Sequence, residues 1–204
     1  MSKLARQIPR PSVALVNEKL REWKTLEKYT LQEASLALLF RELCPRNDEI
    51  SHVLLKVSAL NDFYSTNIFD THSVAKHILA LGVTARILAG DADLVNELAL
   101  VSVGGKQRKR NFYSFASKYC NHHNAEAFPI YDSYVDKMLM HFHRIDHFAK
   151  FHRKELKQYR RFVEIIRAFR KHYALERFSL RQIDIYLWLA GKDAFSRFKN
   201  RNRA

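Results

Sequence analysis

The chain has 204 residues, 47% of them hydrophobic, with only 5 Gly, 4 Pro and 2 Cys. That length buries one sizeable core or two small lobes around a cleft, two cysteines exclude a disulfide framework, and no apolar run approaches the ~20 residues of a bilayer span. The net charge of +14 excludes neither half from folding but is one-sided: residues 1–100 carry 12 basic and 12 acidic side chains, and residues 101–204 carry 23 and 9.

Sparse Gly and Pro between stretches of Leu, Ala, Lys, Arg, Glu and Gln predict an all-α fold. The opening MSKLARQIPRP has no apolar core of a signal peptide, so a cytoplasmic location, bacterial cytosol or nucleoid, is expected, with no membrane partner. After Pro11 a helical pattern runs to about Tyr29. A second helix is predicted to open on a capping box, Thr30 with Glu33, and to carry the stripe Leu31, Ala34, Leu38 to the break at Cys44-Pro45. Residues 48–60 make a third apolar helix, and LNDFYSTNIFD reads as a loop or helix junction. Helices follow at 72–81 and 92–101. The breaker VGGKQRKRN leads into a helix FYSFASKYCNHH, and the turn AEAFP into another whose first residues are Ile130, Tyr131 and Asp132.

From Glu155 to about His172 the spacing predicts a basic amphipathic helix with Leu156, Tyr159, Val163, Ile166 and Phe169 or Ala168 on its core face. Ser179 with Gln182 forms a further capping box, and the apolar helix it opens is read as stopping at Gly191. Residues 12–60 and 145–204 are expected to form one lobe and 61–144 the second.

A basic surplus interleaved with aromatics along helices, confined to one half, is the electrostatic footprint of a phosphate-backbone binder. DNA is therefore the expected partner. Within that half, residues 114–135 place Lys118 in the first turns of one helix and Asp132 at the mouth of the next. A short antiparallel connection brings both to the same end of the pair, where an amine and a carboxylate can act on a developing cation. Plainer readings stand beside this one: Asp132 as the N-cap of its helix, and Lys118 as a solvated charge or phosphate contact.

These residues resemble the helix-hairpin-helix DNA glycosylases, the superfamily of endonuclease III and the 8-oxoguanine glycosylases. Ser114-Phe115-Ala116-Ser117-Lys118 is similar to the family's hairpin and lysine, Pro129-Ile130-Tyr131-Asp132-Ser133 to its aspartate motif, and residues 58–67 to the segment that fills the gap left by a flipped base. Ser114 and Ala116 stand where the hairpin has glycines, a role that Gly104-Gly105 could take instead. The cysteine count excludes the four-cysteine iron–sulfur cluster of some members.

The resemblance implies a two-lobed helical fold with a central cleft, in a monomer that needs no cofactor. It implies a DNA glycosylase that extrudes and excises a modified or damaged base, with Asp132 and Lys118 as catalytic groups and lyase activity if Lys118 is neutral. An oxidised purine, an alkylated base and a hypermodified viral cytosine are all open as substrates, and repair and antiviral defence as roles. Tyr64, Asn67, Phe69, Tyr131, Tyr134, His122 and His123 are the candidate base-pocket residues. Asn61, Lys106, Arg108, Lys109, Arg110, Ser114, Ser117, Arg160 and Arg161 are the candidate DNA contacts. The histidines around Cys120 and at 141–152 lack the spacing of a zinc site, so no metal is expected. The alternative function is a non-catalytic helical regulator that binds DNA or RNA, although the helix at 179–190 is too apolar nearly all round for a recognition helix.

Overall fold

The computed structural model describes residues 8–104 and 109–196, and they are mostly helical, as composition predicts. Ten α-helices are seen among them: α1 Val13–Thr25, α2 Glu27–Ala37, α3 Ile50–Tyr64, α4 Thr71–Ala80, α5 Val83–Leu88, α6 Leu94–Ala99, α7 Tyr113–His123, α8 Ser133–Asp146, α9 Tyr159–His172 and α10 Leu180–Ser196. A π-helical turn, Leu38–Leu43, extends α2, and a 3-10 turn, Arg153–Lys157, precedes α9. Two short strands, β1 Leu100–Ser102 and β2 Lys109–Asn111, pair antiparallel ahead of α7 with Val101 opposite Arg110, a hairpin the sequence reading lacks. No helix among the described residues is long and apolar enough to cross a membrane.

The N-terminal helices return against the C-terminal one: α1 packs on α10, and α10 on α8. Elsewhere α3 packs on α4 and α7, and α6 on α7. A single buried cluster runs through all of these, from Val16 and Phe40 through Leu60, Tyr119 and Phe142 to Leu187. The helix predicted from Glu155 begins at Tyr159, and its expected core face is buried at Tyr159, Val163, Ile166 and Phe169, with Leu156 buried from the 3-10 turn before it. Ser179 and Gln182 exchange the hydrogen bonds of a capping box, at 2.8 and 3.2 Å.

Several local expectations are overturned. The predicted first helix is two, because the Leu26 amide turns back to the Trp23 carbonyl at 3.1 Å and breaks it. Thr30 lies inside α2 and its hydroxyl bonds the Glu27 carbonyl, so the Thr30–Glu33 capping box does not form. Leu31 and Leu38 face solvent, while Leu36 and Phe40, four residues apart on one helical face, are buried. The segment LNDFY is helical, so α3 runs on to Tyr64. Ser114–Lys118 is not a hairpin but the first turns of α7. The helix bearing Asp132 begins only at Ser133.

Gly191 does not end α10 but lies within it, at the closest approach to α8. A Cβ there would sit 2.9 Å from Tyr134 Cβ and 3.0 Å from the Tyr134 carbonyl oxygen. Glycine is required at this position by the neighbouring backbone, which cannot yield as a flexible side chain would.

Candidate functional site

The nine residues between α7 and α8 are tied down polar group by polar group. Asn121 donates to the Phe128 carbonyl at 2.7 Å, the Tyr159 hydroxyl to the Pro129 carbonyl at 2.6 Å, and the Ile130 amide to Asp184 Oδ2 at 3.2 Å. Ser117 Oγ, buried in α7, accepts the Tyr131 amide at 3.0 Å. This lacing holds the mouth of α8 against the start of α7, and a recess of about 290 Å³ opens beside it. Its lining includes Lys118 from α7, Asp132 from the mouth of α8, Arg181 and Asp184 from α10, and Tyr64 from the end of α3. Trp23, Tyr29 and Trp188 form an aromatic wall: the Trp23 and Tyr29 rings stack at 5.9 Å, and Trp188 meets Tyr29 edge-on at 5.1 Å.

Lys118 is 4% exposed, and its Nζ donates to Ser114 Oγ at 2.5 Å and lies 5.1 Å from the centre of the Tyr64 ring. Burial lowers its pKa from the ordinary lysine value, opposed by the charges of Asp132 and Asp184. Asp132 has extended backbone geometry and one of its oxygens accepts the Tyr134 amide at 2.8 Å, the geometry of an N-cap. Its other oxygen takes no hydrogen bond from a described residue, so the cap leaves that oxygen for the recess.

Behind Lys118, Tyr64 and His122 pair through Oη and Nε2 at 3.0 Å. Burial pushes the His122 pKa down to about 3 and the Tyr64 pKa up to about 12, so both are neutral near pH 7. Arg181 bridges Glu33 on α2 and Asp184 on α10, at 2.8 and 3.2 Å. Burial raises the Asp184 pKa to about 7, only partly offset by Arg181, the Ile130 amide and Lys118.

The structure thus brings Lys118, Asp132 and Tyr64 together and disperses the remaining pocket candidates. Tyr131 is buried in the core, its hydroxyl on Asp136 at 2.8 Å and its ring against Tyr113 and Phe162. His123 packs on Phe40 and Tyr119, with Nε2 3.4 Å from Lys56 Nζ. Tyr134 stands at the α8–α10 contact and His122 in the second layer; neither lines the recess. Phe69 is 98% exposed, so it cannot form a pocket wall. It and Asn67 project from the turn after α3, in which Ser65 and Asn67 have positive φ of 48° and 57°. Aromatics at helical spacing mostly fill cores, which is what removes Tyr131 and His123.

Among the candidate DNA contacts, Ser117 is fully buried and Ser114 bonds Lys118 and the Tyr131 carbonyl, so both serve the site's internal lacing. Asn61 clamps its own turn, accepting from Thr66 and the Ile68 amide and donating to the Ile68 carbonyl. Arg160 pairs with Asp93, and Arg161 with Glu155 and Glu164. Lys109 and Arg110 are exposed on β2, whereas Lys106 and Arg108 lie outside the described residues. No group of three or more metal-ligating side chains occurs among the described residues.

Trp23, Tyr29, Arg181, Asp184 and Trp188 escaped sequence reasoning. One signal was available for Asp184: it is the single acidic residue in the apolar run Ile183–Gly191, and such a residue is buried only when it has partners. Trp23 and Tyr29 carry no such signal, because only the return of α1 and α2 to α10 brings them to the recess.

The family model HI_0787_N, described as an N-terminal domain, matches residues 15–127 of the chain. A curated protein of Haemophilus influenzae (strain ATCC 51907 / DSM 11121 / KW20 / Rd), named "Uncharacterized protein", is 49% identical over 152 residues. These make up 74% of this chain and 72% of that relative. No solved structure matches the chain.

Proposed function

We propose that this chain, which belongs to the HI_0787_N family, is a DNA N-glycosylase that admits an extruded modified or damaged base to the Lys118–Asp132 recess and releases it. What supports this is the convergence of a buried amine and a helix-mouth carboxylate on one opening walled by Trp23, Tyr29, Tyr64 and Trp188. Aromatic faces recover stacking energy lost when a base leaves the duplex, and a carboxylate at the opening can stabilise positive charge as it develops on the sugar. The return of α1 to α10 brings residues from both ends of the chain to the recess beside α3 and α7.

In this reading the bond from C1′ to the base nitrogen breaks and its electron pair leaves with the base. The free oxygen of Asp132 stabilises the cationic sugar and orients a water, which attacks C1′ and gives up a proton to leave an abasic site. Lys118 in its neutral form could attack C1′ instead. Opening of the sugar then gives an imine that borohydride reduces to a stable amine, so the enzyme would also have lyase activity.

Phe69 takes a different part from the one first expected of it. Ile68 is buried and Asn61 holds the turn from inside, which leaves the neighbouring Phe69 ring in solvent, four residues beyond the recess residue Ser65. An apolar ring so presented suits insertion into the base stack at the vacated position.

A non-catalytic regulator fits less well, because α10 is buried at Ile183, Asp184, Ile185, Tyr186, Leu187 and Leu189 and offers no free face to a DNA groove. The test is incubation with duplexes carrying single oxidised, alkylated or hypermodified bases, scored for abasic sites, with and without borohydride. Base release is expected from at least one duplex, with any trapped adduct absent in Lys118→Ala. Binding without release across the panel would overturn the proposal, and trapping that survives Lys118→Ala would remove that amine from the chemistry.

A further inference from the structure

We infer that Asp184 is the group that reads the extruded base, accepting a hydrogen bond from an exocyclic amino group and so selecting 4-aminopyrimidine or 6-aminopurine bases over their keto counterparts. This rests on the recess being a base pocket, but it is carried by observations not used for the catalytic step. Asp184 lines the recess and is 3% exposed, and both of its protein hydrogen bonds, from the Ile130 amide and Arg181, fall on Oδ2. No described residue donates to Oδ1. Oδ1 is thus left open to the recess without a protein donor, and a group bound there can supply one. A carboxylate oxygen accepts an amino N–H and repels the carbonyl oxygen that replaces it in a keto base.

The surroundings strengthen the selection. Arg181 holds Oδ2 and is itself held by Glu33, which leaves Oδ1 as the oxygen offered to the recess. Burial disfavours the ionised form, while Arg181 from α10, the Ile130 amide and Lys118 from α7 favour it. The balance leaves Asp184 titrating near neutrality, so an amino base that donates to it draws it into the acceptor form. Affinity for such bases therefore rises with pH through about 7.

The chain has two tryptophans, Trp23 and Trp188, and both line the recess. Their fluorescence reports occupancy without any chemistry. Titrating the full chain at pH 8, where Asp184 is ionised, with free cytosine against uracil, 5-methylcytosine against thymine, and adenine against hypoxanthine should show roughly 10- to 100-fold tighter binding of the amino member, the range of one hydrogen bond to a charged group. Asp184→Asn, which can donate as well as accept, should bring each pair within about threefold or invert it. Asp184→Glu should keep the sign of the preference.

Equal quenching by both members of every pair, or none by either, overturns the inference with the wild type alone, whether or not the variants fold. Base release from DNA with no amino preference overturns it and leaves the glycosylase reading standing. Amino-selective binding without any base release supports Asp184 as the reader and overturns the catalytic reading instead.

Discussion

Replacing Asp132 by asparagine separates two roles that one carboxylate performs. One oxygen caps α8 through the Tyr134 amide at 2.8 Å, and the other is left to the recess. Asparagine caps a helix as well as aspartate to within a few tenths of a kcal/mol, and the lost charge at the helix N-terminus costs a further ~0.3–1 kcal/mol. For a chain of this size each kcal/mol moves Tm by about 2–4 °C, so Asp132→Asn should melt within a few degrees of the wild type. Alanine removes the cap and should cost about 1 kcal/mol more.

Base release should respond differently. Loss of one charge-stabilising group at a developing cation lowers kcat by roughly 10²–10³-fold, and asparagine supplies no negative charge. Single-turnover release from a responsive duplex, measured beside Tm for Asp132→Asn and Asp132→Ala, checks both halves. Release by Asp132→Asn at the wild-type rate would refute the catalytic role. Activity that falls only in proportion to stability across the two variants would reduce Asp132 to its cap.

Gly191→Ala should destabilise by about 1–2 kcal/mol, since crowding against the Tyr134 backbone outweighs the ~1 kcal/mol gained in helix propensity; a Tm at or above the wild type would show that α8 and α10 can separate freely. Lys56, fully buried, donates to the Cys44 and Arg46 carbonyls and to Asn47 Oδ1 at 2.9, 2.8 and 2.6 Å. Lys56→Met strips these acceptors of their donor and should cost about 2–4 kcal/mol by denaturant unfolding.

Because burial raises the Asp184 pKa to about 7, the native state keeps a proton that the unfolded chain loses near pH 4. Stability should therefore fall as pH rises from about 4 to 7 and level above it, by on the order of 2–4 kcal/mol, with a flatter profile in Asp184→Asn. Phe69→Ala should leave Tm unchanged, its ring being 98% exposed, and slow release from duplex DNA at least tenfold more than from single strands.

Helix class, the core face of α9, the Ser179 capping box and the proximity of Lys118 to Asp132 were legible in the chain because each depends on residues within a few turns of one another. Periodicity and capping chemistry are local, and so is a short connection between two helices. The departures have causes that binary patterning does not encode. In α2 and its extension the buried face carries Leu36 and Phe40 in place of Leu31 and Leu38, and Gly191 is read as a stop when its lack of a side chain serves a contact with α8.

Only tertiary structure decided what surrounds the amine and the carboxylate. Trp23 and Tyr29 reach the recess because α1 packs on α10, a pairing between the two ends of the chain that no spacing rule connects. The α7–α8 connection reaches Asp184 through the Ile130 amide, while Tyr131 and Phe69, alike as aromatics in sequence, end in the core and at the surface. Residue type and spacing specify what a side chain can do; burial, which is a property of all the neighbours at once, determines which of those things it does.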